Sequence, residues 1–403
     1  MISETIIKNQ EEKLKKQFEI LDGIALYNQE KVLNAFKQNK IALRHFVGTT
    51  GYGYGDEGRD TLNSLMANIF NAEDAICSPN IVSGTHALSL CLYGVLRPND
   101  TFLCITGSPY DTLNDVIYGK DNGSLEDLGI KFEYIPLKND KIDYDSVEQY
   151  LLTHNTPKMI YLQRSRGYEW RSALSIAEIE KAVSFLRKIA FDGCIMLDNC
   201  YGEFLEKREA IEVGVNVLAG SMIKNPGGGI CPTGGYIVGD KKYIDLINNR
   251  LTAPSISREV GSYQNGYQYF YQGLFLAPHV TMQAVKGAML CSAVLTELGY
   301  KTSPVPYTIP SDIITSIEFG DKDKLISFIQ TIQANSPVDS FVLPLPWGMP
   351  GYKNEVIMAA GCFVQGSSIE LSADAPIKPP YIAYMQGGLT YEHVKIMLKN
   401  LNL

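Results

Sequence analysis

The feature that most constrains this chain is an alternation between residues 62 and 238. Short, continuously apolar runs are separated there by segments with helical periodicity. Leu62, Leu65, Met66, Ile69 and Phe70 recur at three- and four-residue spacing, the mark of one helical face. Ala75-Ile76-Cys77 and residues 101–105, 132–135, 159–162 and 194–197 are the apolar runs, and Gly235-Tyr236-Ile237-Val238 adds another. A second helical face is spelled by Ile176, Ile179, Val183, Leu186 and Ile189. Ser83-Gly84-Thr85 opens a third helix, through Ala87, Leu88, Leu90, Cys91, Leu92 and Val95. Strands that are apolar along their whole length must be covered on both faces. Interleaved with helices, they predict an α/β fold around a mostly parallel sheet.

A chain of 403 residues exceeds what one small core organises, so more than one domain is expected. Residues 1–45 read as a helical arm of one or two helices, suited to packing on a partner subunit. Residues 46–273 form the large domain. The glycine-rich stretch 46–59, with Tyr52, Tyr54 and Arg59, reads as a loop without regular structure. Residues 274–299 are a long linking helix ending at Gly299. Residues 300–403 mix strand signals (313–319, 355–363, 368–371) with helices near 322–333 and 391–401, which predicts a smaller C-terminal α+β domain.

The net charge of −8 argues against nucleic-acid or anionic-membrane partners. No apolar run reaches the length of a membrane span. The eight cysteines form no C-x-x-C pair, so neither a structural metal nor a disulfide framework is indicated, and a reducing cytoplasm fits.

Three features are expected beyond the carboxyl ends of the strands, where open α/β sheets bind ligands. Ser83-Gly84-Thr85-His86 begins a helix, whose free N–H groups and dipole favour an anion such as phosphate. Asp198 directly follows an apolar strand, where a carboxylate needs a cation, and a pyridinium nitrogen is one such cation. Lys224 stands between an apolar run and Asn225-Pro226-Gly227-Gly228-Gly229, an opening that lets a lysine meet a bulky carbonyl ligand. Phosphate cradle, strand-end aspartate and lysine occur in the order of the fold type I enzymes that use pyridoxal 5'-phosphate (PLP).

The blocks G-Y-G-Y-G-D-E-G-R, S-G-T-H-A, L-D-N-C-Y-G-E-F, I-K-N-P-G-G-G and E-L-S-A-D-A-P-I-K-P-P-Y resemble those of methionine gamma-lyase-like proteins labelled aluminium resistance proteins. These are relatives of the cystathionine lyase and synthase group. The resemblance runs from about residue 40 to the end. It implies an aspartate aminotransferase-like large domain and a homotetramer of catalytic dimers, with active sites shared across the dimer interface. It also implies a small sulfur amino acid (cystathionine, cysteine or methionine) as substrate.

Residue by residue, the resemblance implies that Lys224 bonds the cofactor and that Asp198 holds its pyridinium. Ser83, Gly84, Thr85 and Ser221 would cradle the phosphate. Relatives carry a second hydroxyl residue just before the lysine; here that position is Ile223, so one contact must come from elsewhere. Tyr52 or Tyr54 and Arg59 are the candidates for phosphate groups reaching in from a neighbouring subunit. Tyr110 would stack on the ring and assist proton transfer. The stretch 163–168 should face the site, with Arg166 as a substrate contact. No arginine follows Arg258, so Lys378 stands where an arginine would clamp the substrate carboxylate, and it lacks the planar fork. The implied reaction is removal of the α-proton by Lys224 and β- or γ-elimination of a thiol. Aminotransferase, decarboxylase or aldolase chemistry, and a cofactor-binding stress protein with little turnover, stay open as alternatives.

Overall fold

The computed structural model describes residues 2–348 and 354–402. In chain order, α1 (Glu4–Gln38) and α2 (Glu57–Phe70) precede β1 (Asp74–Ser78), α3 (Gly84–Val95), β2 (Thr101–Cys104) and the single turn α4 (Asn114–Ile117). Then come β3 (Lys131–Tyr134), α5 (Tyr144–Thr153), β4 (Met159–Gln163), α6 (Ile176–Lys188), β5 (Cys194–Asp198), β6 (Val217–Ser221) and β7 (Gly235–Gly239). The remainder is α7 (Lys241–Leu251), α8 (Gln268–Glu297), β8 (Lys301–Ser303), β9 (Ile314–Glu318), α9 (Lys322–Ala334), β10 (Val356–Ala359), β11 (Ser372–Pro376), β12 (Ile382–Gln386) and α10 (Tyr391–Asn400).

The first seven strands make one sheet in the order β1-β7-β6-β5-β4-β2-β3. The five strands from β7's neighbour β6 to β3 run parallel, while β7 pairs antiparallel with both β6 and β1. β4, β5, β6 and β7 are buried at every position, because helices cover both faces. One core holds α2 and α6 against the sheet, and another holds α3 and α7 against its other face. At about 25 cal/mol per Å² of apolar surface, this two-sided burial is the main source of stability.

The second sheet is antiparallel throughout, in the order β10-β11-β12-β9-β8. α8, α9 and α10 pack on it around a third core that also takes Ile7, Leu14 and Leu21 of α1. The arm is therefore one 35-residue helix laid on its own chain. Three strand or loop expectations shift. Residues 368–371 are bends, and the strand begins at Ser372. The segment read as 355–363 pairs only over β10. The glycine-rich loop ends earlier than expected, because Asp56 accepts the Arg59 N–H and caps α2. Among the described residues, no helix is long and apolar enough to cross a membrane. All eight cysteines are buried and unpaired.

Candidate active site

The parallel strands β4, β5 and β6 end side by side, with Gln163 level with Asp198 and Asp198 level with Ala219. Beyond these ends lies a cavity of about 220 Å³. Its floor is the N-terminus of α3, where the Ser83 hydroxyl accepts the His86 N–H at 3.0 Å. Gly84 and Thr85 occupy the first turn, whose N–H groups have no acceptor within the helix. Ser221, the last residue of β6, lines the same wall, and Thr112 brings its hydroxyl within 2.8 Å of that of Thr85.

After β6 the chain turns sharply through Met222 and Ile223 to Lys224. The turn is possible because Gly227 packs directly on the Met222 carbonyl, leaving no room for a Cβ. Gly228 then takes a left-handed φ of +55° against the Gly273 carbonyl. The result presents the half-buried Lys224 to the cavity, with Nζ 4.0 Å from the ring centroid of Tyr201. Asp198 is 6% exposed and accepts the Cys200 N–H at 3.1 Å.

Burial alone would lower the Lys224 ammonium, but the negative charge of the neighbouring Asp198 opposes this and holds it above the usual lysine range. Burial pushes the Cys200 thiol and the Tyr201 phenol up, so both are neutral near pH 7. Burial also raises the Asp198 carboxyl, against the opposing pull of the Lys224 charge. Glu203, behind the lysine, is pushed by burial up to about 8. Asp198 is thus the carboxylate that balances Lys224.

Seven of the residues singled out from sequence line this one cavity: Ser83, Gly84, Thr85, Tyr110, Asp198, Ser221 and Lys224. Tyr110 is held by its N–H, which donates to Gln163 Oε1 at 2.7 Å. Five others lie elsewhere. Arg166, expected to meet substrate, is 1% exposed and donates through Nε and Nη2 to Asp312 at 3.1 and 3.3 Å, with Nη1 on Ser303. A buried guanidinium takes the carboxylate that desolvation demands, and here that carboxylate lies just before β9 of the second sheet. Lys378 is exposed in the turn between β11 and β12, outside the cavity lining. Tyr52 and Tyr54 are 72% and 68% exposed, with ring centroids 5.6 Å apart. Arg59 is buried and ties its own loop, donating to the Gly53 carbonyl and to Asp60.

The structure adds residues to the lining. Gln163 ends β4 and Ser165, Gly167 and Tyr168 follow it, in the stretch expected to face the site. Tyr201 depends on a left-handed φ of +69°, which no sequence signal announces. Asp374, Tyr384 and Gln386 come from β11 and β12 of the second sheet. Arg164 pins the loop that carries Tyr201, donating to Asn199 Oδ1, the Gly202 carbonyl and Glu206.

The fold as a whole is shared with known proteins. A Listeria innocua structure, named as a candidate cystathionine beta-lyase involved in aluminium resistance, is 48% identical and aligns over 100% of this chain and 99% of its own, with a TM-score of 0.96. A Clostridium novyi structure, named a carbon–sulfur lyase involved in aluminium resistance, is 47% identical over 98% of this chain and 94% of its own, with a TM-score of 0.95. The pyridoxal-5'-phosphate dependent protein YhfS from Escherichia coli shares the fold at 16% identity, covering 93% of this chain and 95% of its own with a TM-score of 0.63. Residues 3–402 match the methionine gamma-lyase family, and with nearly the whole chain inside that match the protein belongs to the family.

Proposed function

We propose that the protein is a PLP-dependent carbon–sulfur lyase acting on a small sulfur amino acid, cystathionine, cysteine or methionine. The observation that carries the reading is the convergence of Lys224, Asp198 and the open N-terminus of α3 on one cavity. The residues present fit the cofactor. A Cβ on Gly84 would meet Cys200 Sγ and Ser221 Cβ at 3.4 Å, so the absent side chain leaves a cradle of the size a phosphate oxygen needs. The hydroxyls of Ser221, Thr85 and Thr112 surround it, and Thr112 can supply the contact that Ile223 cannot. Asp198 would hold the pyridinium, Lys224 would form the covalent link, and Tyr110 would cover the ring.

When bound, PLP supplies a sink for the electron pair released at the substrate α-carbon. Lys224 Nζ takes the α-proton and returns it, kept in place by its packing on Tyr201. Tyr110 assists at the leaving sulfur. Substrate enters between the strand ends of the first sheet and the Asp374, Tyr384 and Gln386 side chains of the second.

Cation for the phosphate is expected from a second copy of the chain, because Lys224 is the one cation among the described residues lining the cavity. The exposed Tyr52–Tyr54 loop supports a catalytic dimer with shared sites, assembled as a homotetramer. The two sheets, each with its own helices, support the division into 1–45, 46–273, 274–299 and 300–403. Eight unpaired cysteines suit the cytoplasm.

The test is the visible absorption of the purified protein with added PLP, for wild type and Lys224→Ala, followed by detection of thiol and 2-oxo acid from sulfur amino acids. Wild type should gain a visible band that the variant lacks. A wild-type protein that stays colourless with excess PLP overturns the reading.

A further inference from the structure

We infer that Asp374, with the rings of Tyr168 and Tyr384, forms a subsite for an ammonium group on the part of the substrate beyond the reacting carbons. The inference rests on the lyase reading above and narrows its substrate class to amino acids that carry a second amino group.

The cavity lining holds two carboxylates, Asp198 and Asp374, and one cation, Lys224. Asp198 and Lys224 are committed to the cofactor in the reading above. That leaves the Asp374 carboxylate, on the second-sheet side, with no cation of its own among the described residues that line the cavity. Its Oδ2 accepts the Tyr168 hydroxyl at 2.8 Å, while Oδ1 is buried without a hydrogen-bond partner among the described residues. Burial raises this carboxyl to about 6, so it is ionised at neutral pH despite its surroundings. A buried carboxylate oxygen without a donor is costly, and a ligand that brings a donor and a positive charge removes that cost.

The surroundings suit a cation rather than a neutral donor. The Tyr168 ring lies 5.1 Å from that of Tyr384 and 6.0 Å from that of Tyr110. The Tyr384 hydroxyl donates to the Tyr168 backbone carbonyl at 2.6 Å, while the Tyr168 ring is held by its own hydroxyl on Asp374. An ionised oxygen without a donor, walled by these rings, attracts an ammonium and disfavours a second carboxylate at the same spot. The substrate's α-amino group cannot fill this position, because it is committed to the cofactor. The subsite therefore reads the distal end of the substrate, and it favours a diamino substrate over one with an apolar tail such as methionine.

Calorimetric titration of PLP-loaded wild type with isosteric pairs tests this: ornithine against norleucine, and diaminobutyrate against norvaline. At least one charged member should bind about tenfold more tightly than its methyl-ended partner, the scale expected for a charge-assisted hydrogen bond. Asp374→Asn should retain the visible PLP band and bring that ratio close to unity. Equal or tighter binding of norleucine and norvaline by wild type overturns the subsite even if Asp374→Asn does not fold. So does a charged preference that survives in Asp374→Asn. Wild type that loads PLP and binds amino acids without preference refutes the subsite alone, whereas failure to load PLP refutes the lyase reading and the subsite together.

Discussion

The Nζ of Lys224 stands 4.0 Å from the centroid of the Tyr201 ring, and the hydroxyl of that tyrosine donates to Ser368 Oγ at 2.9 Å. The lysine that follows β6 is thus packed on a ring anchored to the segment that leads into β11. Two consequences separate the ring from the hydroxyl. Tyr201→Phe keeps the face and should leave the lysine's titration nearly unchanged. Tyr201→Leu removes the face, worth about 1–2 kcal/mol when desolvated, and should lower the Lys224 pKa by about one unit. The sign follows from the ring's attraction for the ammonium form. Removing it frees the neutral amine at lower pH, so the ascending limb of the rate profile, or of PLP uptake, should move to lower pH in Tyr201→Leu.

Glu203 predicts a pH dependence of stability. Its carboxyl is fully buried, raised by burial to about 8, and hydrogen-bonded through Oε1 to the Tyr236 hydroxyl at 2.6 Å. A carboxyl whose folded pKa lies above its unfolded value favours the fold below the unfolded pKa and loses that contribution as pH rises. The window runs from the ordinary glutamate range near pH 4.5 up to about 8, with a slope of at most about 1.4 kcal/mol per pH unit. Denaturant midpoints of wild type should fall across that window. Glu203→Gln, which has no proton to lose, should flatten the curve.

How much of this was written in the sequence depends on which sheet supplies a residue. β4, β5 and β6 are covered on both faces, so their apolar runs announce a buried parallel sheet, and their ends locate Asp198 and Lys224. β11 carries Ser372 and Asp374 among alanines, a pattern that fits a loop as well as a strand, so the residues it and β12 bring to the cavity were not found. Arg166 went astray for a related reason. Its partner Asp312 lies 146 positions further along the chain, and periodicity carries no information about such a pairing.

The Arg166–Asp312 pair gives a prediction that distinguishes structure from substrate binding. Both side chains are almost completely buried, at 1% and 0% exposure. Breaking such a pair leaves one uncompensated charge, so Arg166→Met should cost about 3–5 kcal/mol in chemical denaturation. Adding Asp312→Leu removes the orphaned carboxylate and should recover much of the loss. If Arg166 instead met substrate, the single variant would raise KM with stability intact.

Gly84→Ala separates the fold from the cradle. The added Cβ would sit 3.4 Å from Cys200 Sγ and from Ser221 Cβ, at the edge of ordinary contact, so neither neighbour has to move far. Position 84 opens α3, where alanine is a better helix former than glycine by up to about 1 kcal/mol. The thermal midpoint of the cofactor-free protein should therefore stay level or rise. The same methyl group occupies the space through which a phosphate would approach the free N–H groups of the first turn. PLP affinity, measured by titrating the visible band, should fall about tenfold or more, because each lost charge-assisted hydrogen bond costs roughly 1.5–3 kcal/mol. A variant that is as stable as wild type and binds PLP equally well would move the phosphate away from α3. The anion would then have to be held from the exposed Tyr52–Tyr54 side, across a subunit boundary.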